Sequence, residues 1–276
     1  MSQWTTKNMP DQHGRLAVVT GTGGLGYEDA LALARAGAEV IIAGRNPAKG
    51  AEAVSKIRAQ TPAANVRFEQ LDLANLASIQ AFGQRMQAEH RRLDLLINNA
   101  AVMTPPNRQL TSDGFELQFG TNYLGHFALT AHLLPLLRNG ASPRVVNVAS
   151  VAVRSGAINV EDLQSEQSYA PMVAYAQSKL ANLMFSFELQ RRSAAAKWGI
   201  SSIAAHPGIS RTDLIPNGAG RTSLSGLIRS WLWFLFQPAA QGALPTLFAA
   251  TSPDAKAGAY YGPHRLNETR GFPALA

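Results

Sequence analysis

The sequence predicts an α/β fold, a doubly wound parallel sheet with helices on both faces. Three observations predict it. From Leu16 onward, short apolar runs alternate with longer segments of helical periodicity. The first apolar run passes directly into a glycine-rich turn that opens a helix. Finally, no Ser/Gly-rich tract, charge block or repeat interrupts the 276 residues, 46% of which are hydrophobic, so one large core and a single domain over 1–276 are expected.

Leu16–Thr20 is an apolar run suited to a buried strand, and Gly21-Thr22-Gly23-Gly24-Leu25-Gly26 follows it at once. Tyr27–Ala36 carries helical spacing, and Glu39–Ala43 is the next strand. Strand, glycine turn, helix and strand make a dinucleotide-binding unit: glycines let backbone approach a pyrophosphate, and the helix N-terminus offers N–H groups to it. The second strand ends in Gly44-Arg45-Asn46, with no acid to accept from a ribose 2′-hydroxyl. Arg45 instead presents a planar cation suited to a 2′-phosphate, so NADP(H) is the expected cofactor. Helices over 47–59 and 76–89, and strands over 66–71 and 93–97, continue the alternation. Gly21, Arg45, Asp72 and Asn99 then all fall at carboxyl ends of strands, where such sheets bind ligands.

A helix is expected to begin near Ser112, in the capping-type sequence Thr-Ser-Asp-Gly-Phe-Glu, and to carry Asn122. Arg144–Val148 is a strand, which places Ser150 at a carboxyl end. Tyr175 and Lys179, four residues apart within the expected helix 172–192, project from one face. A fixed ammonium beside a phenol favours the phenolate and suits the pair to proton transfer, although such a pair alone is most often ordinary helix surface. Ile200–Ala205 is a further strand, broken by His206-Pro207-Gly208; His206 reads as structural, because Tyr175 already supplies proton transfer.

Composition removes several functions. With no cysteine, disulfides, thiolate catalysis and cysteine-based zinc sites are excluded. The net charge of +7 is scattered rather than clustered on one element, so nucleic acid is not an expected partner. Met1–Gly14 lacks a signal-peptide core, and no stretch reaches the ~20 apolar residues of a membrane span, so a cytoplasmic protein is expected. Glu161, Asp162 and Glu166 read as a solvated loop, and no metal site is expected.

Thr20-Gly21, Asp72-Leu73, Asn98-Asn99-Ala100, Asn122 in Asn-Tyr-Leu-Gly-His-Phe, Asn147-Val-Ala-Ser150, Tyr175 and Lys179 in Tyr-Ala-Gln-Ser-Lys-Leu-Ala-Asn, and His206-Pro-Gly208 together resemble the short-chain dehydrogenase/reductase superfamily. Within it, the chain is most similar to the retinol-dehydrogenase-like branch and its bacterial relatives. The resemblance covers about residues 14 to 262. It implies a Rossmann-type sheet of about seven strands, with a cofactor-binding half over 14–110 and a catalytic and substrate-binding half over 111–262.

The resemblance also implies roles. Tyr175 is the general acid/base, and Lys179 lowers its pKa and binds the nicotinamide ribose. Ser150 hydrogen-bonds the substrate oxygen, and Asn122 holds a water linking Lys179 to solvent. Asp72 and Leu73 border the adenine, Asn99, Ala100 and Ala101 line the ribose region, and Pro207, Gly208, Ile209 and Thr212 flank the nicotinamide. Three departures stand out. The glycine turn is one residue shorter than the family pattern and lacks the basic residue that NADP-preferring members often carry there, leaving Arg45 as the main anchor. Ala101 replaces a family glycine, and Ala149 replaces the first of a serine pair.

The substrate side follows from the second half. The 25-residue separation of Ser150 and Tyr175 leaves a long connection to fold over the site. A lid is expected over about 209–237, with the apolar run Leu227, Ile228 and Trp231 to Phe236. That run reads first as a pocket lining for a hydrophobic carbonyl or alcohol, then as subunit interface or core, and last as a membrane contact. The expected activity is NADP(H)-dependent ketone or aldehyde reduction and its reverse. Imine or enone reduction on the same fold, and a low-activity nucleotide-binding regulator, remain open alternatives. A homodimer or homotetramer is the assembly the family implies.

Overall fold

The structure, a computed structural model, describes residues 3–210 and 237–276. Thr212 and the aromatic run 231–236 lie outside the described residues.

The strands are β1 (Leu16–Thr20), β2 (Glu39–Gly44), β3 (Val66–Gln70), β4 (Leu95–Asn98), β5 (Arg144–Val148), β6 (Ser201–Ala205), β7 (Tyr260–Arg265) and β8 (Arg270–Leu275). The helices are α1 (Gly24–Arg35), α2 (Pro47–Gln60), α3 (Leu76–Glu89), α4 (Gly125–Arg138), α5 (Pro171–Ala196), α6 (Ala239–Gly242) and α7 (Leu244–Thr251). The strands form one sheet in the order β3-β2-β1-β4-β5-β6-β7-β8, parallel except for the final pair.

Side chains alternate across a strand, so each strand of this sheet feeds two apolar layers. Ala17, Val19, Val40 and Ile42 pack on one face with Leu33 of α1, Ile57 of α2 and Leu247 of α7. Val18, Ile41 and Leu96 pack on the other with Ile79 and Phe82 of α3 and Leu129 and Leu133 of α4. Each such Val, Leu, Ile or Phe side chain, fully buried, contributes about 1.5–3 kcal/mol.

Register then positions the site. Thr20 pairs with Ala43, Asn98 with Asn147, and Val148 with Ala205. The strands therefore end together, and Gly21, Arg45, Asn99, Ser150 and His206 emerge along one edge of the sheet.

The seven parallel strands β1 to β7 match the expected sheet, and an eighth is added among the described residues: the chain beyond Arg265 turns and returns antiparallel as β8, pairing Tyr261 with Leu275, so the tail forms this edge of the sheet. One expectation is corrected: no helix begins at Ser112. Thr111–Phe115 is a turn closed by the Thr111 N–H on Phe115 O, and the helical segment starts only after Glu116. The capping-type residues serve a different helix: Asp113 Oδ2 accepts from the N–H of Leu76 at the start of α3.

Candidate active site

Gly23 is extended and caps α1 without a side-chain acceptor, so the first-turn amides of α1 have no side-chain partner there. The short glycine turn is tied to the neighbouring strand by Asn99, whose Nδ2 donates to Thr20 O at 2.8 Å. Thr20 Oγ1 accepts from the N–H groups of Asn99 and Ala100, both at 2.9 Å. Gly26 makes this approach possible: a Cβ there would lie 2.6 Å from Asn99 Nδ2 and 2.7 Å from Gly21 O.

Around this turn opens a cleft of about 580 Å³. Gly21, Thr22, Gly23, Gly24 and Leu25 line it, as do Arg45, Asp72, Leu73, Asn99, Ala100 and Ala101. The expected cofactor residues of the first half thus converge, apart from Gly26, which lies buried beneath the turn. Lys49 and Lys56 also line the cleft, Lys56 paired with Glu52 at 2.6 Å. Sequence reading missed Lys49. Its signal is its place in the first turn of α2, whose cap Asn46 accepts from the Lys49 N–H at 3.0 Å. Two cations, Arg45 and Lys49, therefore stand where one was expected. A glycine turn with amides free of side-chain partners, two cations and an apolar wall formed by Leu71 and Leu73 fit a phosphorylated dinucleotide.

Asn122 lies in a π-helical segment, Phe119–Leu124, that leads into α4. Its side chain pairs with both backbone groups of Val102, a cleft residue: Oδ1 accepts from Val102 N at 2.8 Å and Nδ2 donates to Val102 O at 3.0 Å. Nδ2 also reaches Ser178 Oγ at 3.0 Å, and Ser178 donates to Tyr175 O at 2.8 Å. The Asn122 carbonyl accepts from His126 Nδ1 at 2.9 Å, while His126 Nε2 lies 3.0 Å from Thr20 Oγ1. Burial holds the His126 pKa down to about 4, so the ring is neutral; with Nδ1 donating, Nε2 accepts from Thr20. His126, unassigned from sequence, thus bolts the strand before the glycine turn to the Asn122 segment.

Tyr175 and Lys179 lie on α5 and are almost fully buried. Burial raises the Tyr175 phenol above its ordinary value, and a hydrogen bond with the Ser150 side chain draws it back. Lys179 Nζ donates to Val148 O at 2.9 Å and lies 5.9 Å from the Tyr175 ring centroid; burial holds its pKa down to about 8. Tyr260 of β7, also missed, donates its hydroxyl to Ser150 O at 3.2 Å.

Pro207, Gly208 and Ile209 follow β6 beyond the residues that line the cleft. The carbonyl of Pro207 accepts from Gln237 Nε2 at 2.6 Å, and the N–H of Ile209 reaches Thr269 O at 2.8 Å. His206 is buried and hydrogen-bonded, its Nε2 3.1 Å from Glu268 Oε2. In the connection between β5 and α5, Asp162 accepts from the N–H groups of Glu166, Gln167 and Ser168.

The parallel sheet, glycine-turn cleft and buried tyrosine–lysine pair define a nucleotide-dependent oxidoreductase of the α/β class. The comparisons make this specific. The sequence model of the family described as short chain dehydrogenase matches residues 15–219. Human polyprenol dehydrogenase is 43% identical over 250 residues, covering 89% of this chain and 75% of the relative. Mouse retinol dehydrogenase 12 is 42% identical over 246 residues, covering 87% and 74%. The crystal structure of an uncharacterized protein from Mycobacterium paratuberculosis superimposes with a TM-score of 0.79 at 39% identity, covering 100% of this chain and 89% of that one. The Pseudomonas aeruginosa RhlG/NADP active-site complex matches with a TM-score of 0.71 at 25% identity, covering 91% and 94%. The chain belongs to the short-chain dehydrogenase/reductase family, in its retinol-dehydrogenase-like branch. Among the described residues, no helix is long and apolar enough to cross a membrane.

Proposed function

We propose that this chain is an NADP(H)-dependent oxidoreductase that interconverts a hydrophobic ketone or aldehyde with its alcohol. The observation that carries the reading is the buried Tyr175 phenol, hydrogen-bonded to the Ser150 side chain, on the same helix as the buried Lys179. The cofactor, when bound, supplies or accepts the hydride. Gly21 to Leu25 would hold its pyrophosphate, Arg45 and Lys49 its 2′-phosphate, Asp72 and Leu73 its adenine, and Asn99 to Ala101 its ribose. Pro207, Gly208, Ile209 and Thr212 would flank the nicotinamide. Ser150 and Tyr175 donate hydrogen bonds to the substrate oxygen as negative charge develops on it, and Tyr175 delivers the proton. Lys179, positively charged near neutrality, favours the phenolate across the ring. Asn122, its side chain bonded to Val102 and Ser178, would hold a water linking Lys179 to solvent. The relatives named for polyprenol and retinol support a bulky apolar substrate. A homodimer or homotetramer is supported by Phe127 on α4 and Met184 and Phe187 on α5, which are exposed.

Two substitutions test the reading. Arg45→Ala should weaken NADPH by roughly tenfold or more and leave NADH nearly unchanged, since NADH lacks the phosphate. Equal loss for both would overturn the NADP(H) assignment. Tyr175→Phe should abolish turnover while retaining cofactor binding, and near-normal rates would overturn the mechanism. A panel of ketones, aldehydes, imines and enones identifies the bond reduced. Tight NADPH binding without turnover on any of them would point to a regulatory protein.

A further inference from the structure

Three consecutive non-glycine residues in the β7–β8 turn are left-handed: Leu266, Asn267 and Glu268, with φ of 50°, 53° and 60°. Such residues are held in place only when their surroundings over-determine them. Here the surroundings are the reactive end of the site. Glu268 Oε1 accepts from Arg154 Nη2 at 2.8 Å, and Glu268 Oε2 accepts from His206 Nε2 at 3.1 Å. Arg154 also donates to Asn267 O at 3.2 Å.

The two partners of Glu268 are remote in sequence and each is adjacent to a predicted site segment. Arg154 lies in the short helix Val151–Ser155, whose cap is Ser150. His206 immediately precedes Pro207–Ile209, and its Nδ1 accepts from the N–H of Gly208 at 3.2 Å. That bond and the Glu268 bond together set the tautomer: Nε2 carries the proton and Nδ1 accepts. The turn also clasps the segment directly. Gly208 has φ of +64°, and a side chain there would strike the carbonyl of Thr269, which itself accepts from Ile209 N at 2.8 Å. Tyr260 completes the link, its ring 5.1 Å from that of His206 and its hydroxyl on Ser150 O.

We propose that Glu268 is a positioning residue: through Arg154 and His206 it holds the Ser150 turn and the Pro207–Ile209 segment in fixed relation. The proposal rests on the reading that NADP(H) binds with its nicotinamide beside Pro207–Ile209. A carboxylate suits the role because it is acceptor-only and can serve a guanidinium and an imidazole N–H at once, whereas an amide would turn a donor toward one of them.

The test compares wild type with Glu268→Ala and Glu268→Gln, measuring by calorimetry the binding of NADPH and of 2′,5′-ADP, which lacks the nicotinamide half. Thermal midpoints are recorded alongside. The expected result is a rise in the NADPH Kd of roughly tenfold for Glu268→Ala, a smaller rise for Glu268→Gln, and a 2′,5′-ADP Kd unchanged in both. Loss of a charge-assisted bond at one end of the ligand should not reach the other. An equal shift for both ligands would reduce Glu268 to general structural support, and no shift for either would remove the role. If Glu268→Ala does not fold, the ratio of the two Kd values in Glu268→Gln decides by the same criteria. A wild type that binds 2′,5′-ADP but gains nothing from the nicotinamide half overturns the positioning proposal alone, whereas one that binds neither ligand overturns the cofactor reading and this proposal with it.

Discussion

Lys179→Met places an apolar side chain of similar length where the fold buries an ammonium. Burial holds the Lys179 pKa down to about 8 from an ordinary 10.5. Below pH 8 both folded and unfolded chains carry the proton, and the full cost of burying the charge is present. Between about 8 and 10.5 the folded chain has released a proton that the unfolded chain still binds, so stability rises with pH and the cost is gone above 10.5. At ~1.4 kcal/mol per pH unit, the cost at neutrality is on the order of 3 kcal/mol. Methionine removes it. Methionine also removes the donor to Val148 O, an offset of about 1–3 kcal/mol that does not vary with pH. The unfolding free energy of Lys179→Met minus that of wild type should therefore fall by on the order of 3 kcal/mol between pH 7 and pH 10.5, whatever its starting value. Urea unfolding of the two cofactor-free proteins, both in a Tyr175→Phe background, which removes the phenol coupled to Lys179, followed by circular dichroism at several pH values, measures it, and titrating groups remote from Lys179 cancel in the difference. A difference that stays flat or grows with pH refutes the idea that the fold keeps a charge here at the expense of stability.

Two further substitutions probe the clamps around the cleft. Asn122→Leu leaves Val102 N–H and C=O without their side-chain partner, while the Ser178 hydroxyl keeps its bond to Tyr175 O, and should lower stability by about 2–6 kcal/mol in denaturant unfolding; a loss below ~1 kcal/mol would mean that the π-helical segment is held by other contacts. Gly26→Ala forces a methyl against Asn99 Nδ2 and Gly21 O, so the turn must shift, at a cost of about 1–3 kcal/mol and with weaker NADPH binding by fluorescence titration; unchanged affinity would separate the turn from the cofactor.

Much of the molecule was readable because its signals are local. The β–α alternation, the glycine turn and the α5 pair each depend on residues within a few positions of one another, and the expected bounds of α3 coincide with those observed. The same locality misled at Ser112. The segment has the residues of a helix cap, but Asp113 caps α3 from a distance, and no short-range rule distinguishes a cap for one's own helix from a cap for another's. The β7–β8 turn was silent for a related reason. Left-handed conformation is ordinarily announced by glycine, and here Glu268 adopts it under the hold of Arg154 and His206.

Most residues that escaped notice share a property. His126, Ser178 and Tyr260 act on partners set by the fold rather than by spacing, whereas Lys49 was signalled locally by its place in the first turn of α2. His126 joins Thr20 to Asn122, two residues 102 positions apart, and Tyr260 reaches Ser150 across 110. The reacting groups and the groups that hold them are thus encoded differently. A tyrosine and a lysine one helical turn apart can be recognised as a pair before any fold is known, because the helix alone brings them together. A histidine that bolts a strand end to a π-helical segment cannot, because its role exists only once the fold has set the two side by side. Substitutions at the first kind of residue should change the chemistry and spare the fold; at the second kind they should move cofactor affinity and stability together. Lys179 belongs to both kinds at once, since its ammonium is positioned by the helix while its cost is imposed by the buried setting around Val148, and this is why its replacement separates the two contributions by pH.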